Sequence, residues 1–289
     1  MTEEPRKEHV TEWSPSRLQL MLDCGEAYRR TYITRESQRM ESAATLIGKG
    51  FHWAAELAGQ AMMEGQLIDD NFAVENAVQR FEGMAAEDAE GDNPIPWEEG
   101  QQDARKRELR KMTHMLLDHL PDVWLEYGQP IATELEFRSV PWRGYLLRGQ
   151  IDAVTDKALI DWKSGSKAMG QRKADHSYQR LIYSAWHQET YGRFPELFLF
   201  FQVTRPRSPK GSFRVNVYPV HQREEELDYL EAKLERATLI EAMGAYNYND
   251  QSWMCSPDFC PFWLTCPASK FGPVVEADPD PSPGNTDLV

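Results

Sequence analysis

The chain has 289 residues, a formal net charge of −14, and 41% hydrophobic against 27% charged residues. That is room for a sizeable core and ordinary globular composition. No apolar run reaches bilayer length, and Met1-Thr2-Glu3-Glu4-Pro5-Arg6-Lys7 mixes both charge signs, so neither a membrane span nor a secretory leader is expected, and a soluble, cytoplasmic protein is.

The acidic total speaks against a nucleic-acid partner until its distribution is read. Residues 138–214 hold 14 Lys or Arg against 6 Asp or Glu, a local net of +8. A basic region is therefore available to phosphates, the alternative being faces that are merely solvated.

In chain order, residues 1–13 are expected to form a polar arm. Ser14-Pro15 suits an N-cap followed by proline at the first helical position, and Leu18, Met21 and Leu22 follow at helical spacing. This helix is expected to carry Cys24 and continue toward Tyr28 and Tyr32. Further helices are predicted over 43–63, 69–90 and 98–120, the last carrying Arg105-Lys106-Arg107 and Arg110-Lys111 as a salt-bridged, solvated face.

From Ile131 the pattern turns to strands: 131–140, then 145–154 and 158–162 around Thr155-Asp156-Lys157, then 197–204 and 213–220. The middle two read as a β-hairpin, between which and the later strands a helical segment spans 175–186. Arg205-Pro206-Arg207-Ser208-Pro209-Lys210-Gly211 is a basic loop suited to phosphate, and a helix from about 224 to 243 closes the core.

The hairpin carries the chemistry. Asp152 stands among Ile151, Ala153 and Val154, and Asp161 beside Leu159 and Ile160. Acids inside apolar strands are costly unless something offsets the charge. A divalent cation between neighbouring strands would do so, and Mg²⁺ takes one or two carboxylates while keeping waters. Lys163 shares the strand face of Asp161 by period-two alternation, where it could orient water or neutralise charge on a phosphate. The plainer alternative is a surface hairpin with two turn acids. His52, on the second helix, is by itself either a histidine satisfied by a carbonyl or a ligand.

Three of the four cysteines fall at 255, 260 and 266, the fourth at Cys24. In a reducing compartment these are expected to be ligands rather than disulfides, and four thiolates suit either tetrahedral Zn²⁺ or an iron–sulfur cube. Beyond Phe271 a disordered acidic tail is expected over 272–289.

Gly149-Gln150-Ile151-Asp152 followed by Asp161-Trp162-Lys163 resembles motifs II and III of the PD-(D/E)xK nuclease superfamily. The helical Gly48-x-x-x-His52 is similar to the element of RecB-like nucleases that supplies an extra metal ligand, and Gln179-x-x-x-Tyr183 resembles their strand-positioning signature. One early cysteine and three late ones, with Ser14-Pro15-Ser16-Arg17-Leu18 leading to Cys24 and Tyr28, resemble the iron–sulfur staple of AddB-type and CRISPR-associated RecB-like exonucleases. Gly25 departs from the usual proline, and Cys255 and Cys260 enclose four residues where two are commoner.

The resemblance implies an α/β fold: a restriction-endonuclease-like core with a mixed central sheet flanked by helices, and a helical lobe stapled by a cluster. It implies one domain over 14–271, with a helical part at about 14–128, a catalytic core at about 129–245 and a Cys-rich closure at 250–271. His52, Asp152, Asp161 and the Trp162 carbonyl would hold Mg²⁺ or Mn²⁺, Lys163 would serve the attacking water, and Gln179 and Tyr183 would position the strand. Glu134 or Glu136, alike in face parity, would add one acid. Cys24, Cys255, Cys260 and Cys266 would hold [4Fe–4S], with zinc as the alternative.

The implied activity is a DNA exonuclease acting on single strands or DNA ends in recombination, repair or phage DNA metabolism. An RNA-directed nuclease has the same signature. A non-catalytic DNA-end-binding or recombination module is the alternative, for which damaged acids or lysine would be the sign. With no G-x-x-x-x-G-K-[ST] loop, unwinding would need a helicase partner.

Overall fold

The computed structural model describes residues 11–36, 42–91, 94–208, 210–252, 254–257 and 259–270. The expected acidic tail and most of the expected N-terminal arm lie outside them.

The described chain begins with a strand, β1 (Glu12–Trp13), and the first helix, α1 (Pro15–Asp23). Residues 12 and 13 are thus no arm: they pair in parallel with Leu146 and Leu147, and Trp13 is buried. Ser14 caps α1 as expected, accepting from the Arg17 N–H at 3.2 Å.

The helix does not run on through Cys24. Cys24 is extended, and a new turn, α2 (Gly25–Tyr28), leads into π-helical Arg29–Ile33. The break is held from outside, because Glu26 N–H donates to Asn247 O and the Asn249 side chain donates to Asp23 O. A Cβ on Gly25 would lie 2.9 Å from Asn247 N, which explains the small residue at this point.

Three long helices follow, α3 (Ala43–Met63), α4 (Asp70–Ala89) and α5 (Gln101–Tyr127). Ser42 and Asp69 cap the first two. α5 continues past Pro121, where the sequence suggested a stop. The proline is exposed, and the last turns bury Val123, Trp124 and Tyr127, which offsets the missing hydrogen bond. The basic face of α5 is largely ion-paired: Arg105 with Glu108, Lys106 with Glu82 and Asp103, and Arg110 with Glu75.

The sheet comprises β2 (Pro130–Trp142), β3 (Tyr145–Thr155), β4 (Ala158–Gly165) and, after α6 (Gln171–Asp175) and α7 (Tyr178–Tyr191), β5 (Leu197–Thr204) and β6 (Arg214–His221). α8 (Glu226–Met243) ends the core. The order is β1-β3-β4-β5-β6 with β2 also on β3; β1 and β3 are parallel, as are β4 and β5, and the other pairs are antiparallel. This is the mixed sheet expected.

Alternation along the strands splits the core in two. One cluster joins α3, α4 and α5 to Ile160, Trp162 and Phe201; the other joins α1, α7 and α8 to Leu147, Leu159 and Phe200. No described helix is long and apolar enough to cross a membrane.

Candidate active site

The β3–β4 ladder is short. Ala153 faces Ile160 and Val154 faces Leu159, and one step further Asp152 lies across from Asp161. There the Asp152 carboxylate takes the place of a backbone acceptor: the Trp162 N–H donates to its Oδ2 at 2.7 Å. The strands part at this point, and the gap is reached from both faces of the sheet.

From the α3 side comes His52, whose Nδ1 is 3.4 Å from Asp152 Oδ2 and 3.9 Å from Glu134 Oε1. Single ligand atoms of His52, Glu134 and Asp152 lie within 4.8 Å of one another. Register explains why Glu134 joins and Glu136 does not. Thr133 faces Ala153 and Leu135 faces Ile151, which sets Glu134 opposite Asp152, whereas Glu136 faces Gln150. Glu136 is exposed and paired with Arg138. Face parity, shared by both acids, could not separate them.

From the α7 side come Gln179 and Tyr183. Lys163 Nζ lies 2.7 Å from Asp161 Oδ2 and donates to Gln179 Oε1 at 3.0 Å, while the Gln179 amide donates to Asp161 Oδ1. The Tyr183 hydroxyl donates to Gln150 O at 2.6 Å, and the Gln150 side chain donates to Glu134 Oε2 at 2.7 Å. Gln150, to which sequence reasoning assigned no role, thus links the two sides of the gap. Its position between Gly149 and Asp152 was the available signal.

Gly149 makes the crossing possible. A Cβ there would fall 2.7 Å from both Tyr183 Cε1 and Phe137 Cζ. Phe137 in turn stacks on Trp186 with centroids 5.0 Å apart, so neither ring is free to retreat. Gly149→Ala is expected to cost roughly 1–3 kcal/mol of overpacking and to lower the thermal midpoint by about 2–4 °C per kcal/mol, read by thermal unfolding.

Burial and mutual repulsion shape the charges. Burial first, then the Asp152 charge, pushes the Glu134 carboxyl up to about 8. Burial opposes protonation of His52, but Asp152, Asp161 and Glu134 outweigh it and raise the imidazole to about 9. Asp161 is raised by burial against the pull of Lys163; Lys163 is itself raised, the carboxylates overcoming its own burial.

For Glu134 and His52 alike the folded value exceeds the unfolded one. Their contribution to stability is therefore present at low pH and lost as pH rises from about 4.5 through about 8 for Glu134 and from about 6.5 through about 9 for His52. The metal-free protein is expected to melt lower at pH 8.5 than at pH 6, and Mn²⁺ to remove the difference, in a thermal unfolding series with EDTA or Mn²⁺.

The donor set fits a hard divalent cation. It offers oxygen and imidazole ligands, and Glu134 Oε1 is buried without a hydrogen-bond partner among the described residues. Trp162 turns its indole away, edge-on to Trp124 and Phe201 at 5.7 and 5.5 Å.

The four cysteines are brought together elsewhere. Cys24, Cys255, Cys260 and Cys266 all line one cavity of about 110 Å³ beside α1 and α2. Arg30 closes it, donating to Thr265 Oγ1 at 2.7 Å and to Thr265 O at 3.2 Å. In the basic loop Arg205 is tied to Glu108 at 3.0 Å, and Arg207 donates to Ser166 O.

A comparison with curated proteins finds no match. Among solved structures, one from Eubacterium rectale described as "Putative exonuclease" is 11% identical with a TM-score of 0.50, over 88% of this chain and 92% of that one. At that identity the likeness concerns the fold alone. A family model described as the PD-(D/E)XK nuclease superfamily matches residues 12–267. The match runs from the first strand past the last cysteine, and the chain belongs to the PD-(D/E)XK nuclease superfamily.

Proposed function

We propose that the protein is a metal-dependent DNA exonuclease acting on single strands or DNA ends. The observation that carries this reading is the meeting of His52, from a helix on one face, with Glu134 and Asp152 from adjacent strands, all within 4.8 Å, beside the Asp161–Lys163 pair.

His52, Glu134, Asp152, Asp161 and the Trp162 carbonyl would hold Mg²⁺ or Mn²⁺. Such an ion, when bound, supplies a Lewis acid and a low-pKa water for attack on phosphorus. Lys163, kept cationic by its carboxylate neighbours, offers donors to a water or to a phosphate oxygen. Gln179 holds both Lys163 and Asp161, so those two groups are positioned before substrate arrives. Tyr183 ties α7 to β3 and would border the strand.

An end-labelled oligonucleotide incubated with Mg²⁺, Mn²⁺ or EDTA tests this. Stepwise shortening with either ion, none with EDTA and none with Asp152→Ala is expected. Digestion that survives EDTA or this substitution would refute the site.

The thiols would hold a [4Fe–4S] cluster. Zinc, with Zn–S near about 2.3 Å, gathers its sulfurs tightly, whereas the only described group of three or more candidate ligands within 4.8 Å is His52, Glu134 and Asp152. The four thiols share one cavity of about 110 Å³, and four thiolates are the ligand set of such a cluster. Anaerobic purification is expected to yield brown protein with stoichiometric iron and sulfide; colourless protein containing only zinc would reject the cluster.

A further inference from the structure

A cavity of about 1460 Å³ opens between the α1–π-helical segment and β3, and reaches Gln179 and Tyr183 at one end. Its floor follows from the sheet. β2 covers one edge of β3 throughout, so β1 at residues 146–147 and β4 at residues 153–154 must share the other. Between them β3 faces the cavity instead of a strand, with Arg148, Gly149 and Gln150 among the lining residues.

The wall carries cations beside a ring. The Arg17 guanidinium lies 4.6 Å from the centroid of Tyr32, and its Nε is buried with no acceptor among the described residues. Arg35 is exposed, and Arg148 is 40% exposed in its side chain, 3.8 Å from Glu12. The acids of the same wall are engaged: Glu12 also accepts from Ser139, Glu136 pairs with Arg138, and Glu241 accepts from Thr11 and Tyr28. Arg148 shares its charge with Glu12, and among the described residues the Arg17 side chain donates only to the Glu12 carbonyl, at 3.1 Å. Arg17, beside the Tyr32 ring, and Arg35 are therefore the cations of this wall without a carboxylate partner among the described residues.

We infer that this cavity is the path of a single nucleic-acid strand, its bases stacking on the Tyr32–Arg17 platform and its phosphates tracking Arg35 and Arg148 toward the cleavage site. The inference rests on the nuclease reading and narrows its substrate to a single strand. Aromatic rings serve bases only when these are unpaired and splayed, since a duplex keeps its faces in its own stack. The volume exceeds the roughly 300–1,000 Å³ of a site for one small molecule and suits a run of nucleotides.

The test is fluorescence anisotropy of labelled oligothymidine and of a blunt duplex in EDTA, with the full chain. Binding at least tenfold tighter to the single strand is expected. Arg35→Glu with Arg148→Glu, both surface changes, should weaken it tenfold or more and flatten the salt slope by about 0.7 for each phosphate no longer neutralised. Tyr32→Leu should weaken it on the order of tenfold. Unchanged binding in the double variant, or duplex bound as tightly as single strand, would overturn the path. Because EDTA removes cleavage from this assay, the two readings fail separately. Mn²⁺-dependent cleavage with unaltered variant binding removes the path alone, and altered binding without cleavage of any DNA removes the nuclease alone.

Discussion

Asp161→Asn is expected to lower Mn²⁺-dependent digestion by roughly 10³-fold or more, the several kcal/mol that a metal-ligating charge contributes to a phosphoryl transition state. Asparagine keeps the shape and can still meet Gln179, which holds Asp161 in the wild type. It removes a charge whose ionisation burial already disfavours, and it leaves Lys163 beside the Asp152 carboxylate. The fold should therefore survive, with a thermal midpoint within a few degrees of wild type. Comparing initial rates of oligonucleotide shortening with the melting curve separates a chemical loss from unfolding; equal rates would remove Asp161 from the reaction.

Cys266→Ser is expected to act on stability instead. The cysteine cavity ties the break after α1 to the segment from Cys255 to Cys266. A cluster that binds only the folded state adds its binding free energy to folding. Its loss should lower the thermal midpoint on the order of 10 °C and open the segment after α8 to protease. Some attachment should persist, because buried Glu26 and Arg30 form a polar link to Thr265 that is independent of the thiols. A variant with wild-type melting and protease resistance would show that no cofactor staples this lobe.

Much of the fold was legible because its signals are local. α3 occupies the predicted 43–63 and β5 the predicted 197–204, each a clean periodic run. The hairpin was legible for the same reason: apolar strands flank a short polar turn, and Asp161 and Lys163 alternate on one face.

What escaped was set by partners far along the chain. β1 has two residues and becomes a strand only through Leu146 and Leu147. The break at Cys24 depends on Asn247 and Asn249. The helical turns of α5 beyond Pro121 depend on burying Trp124 against the sheet. The choice of Glu134 over Glu136 depends on the register of β2 against β3, which no alternation within one strand encodes. Glu134 also adopts a left-handed φ of 45° that its residue type does not announce.

The site as a whole hangs on one side chain arriving from the helical layer. The most direct measurement is electron spin-echo modulation of Mn²⁺ bound to the protein, which reads whether an imidazole nitrogen is coordinated. Nitrogen modulation in the wild type that disappears in His52→Ala is expected, with Mn²⁺ weakened in Asp152→Ala. A Mn²⁺ centre with no nitrogen coupling, or one that keeps it in His52→Ala, would contradict the site.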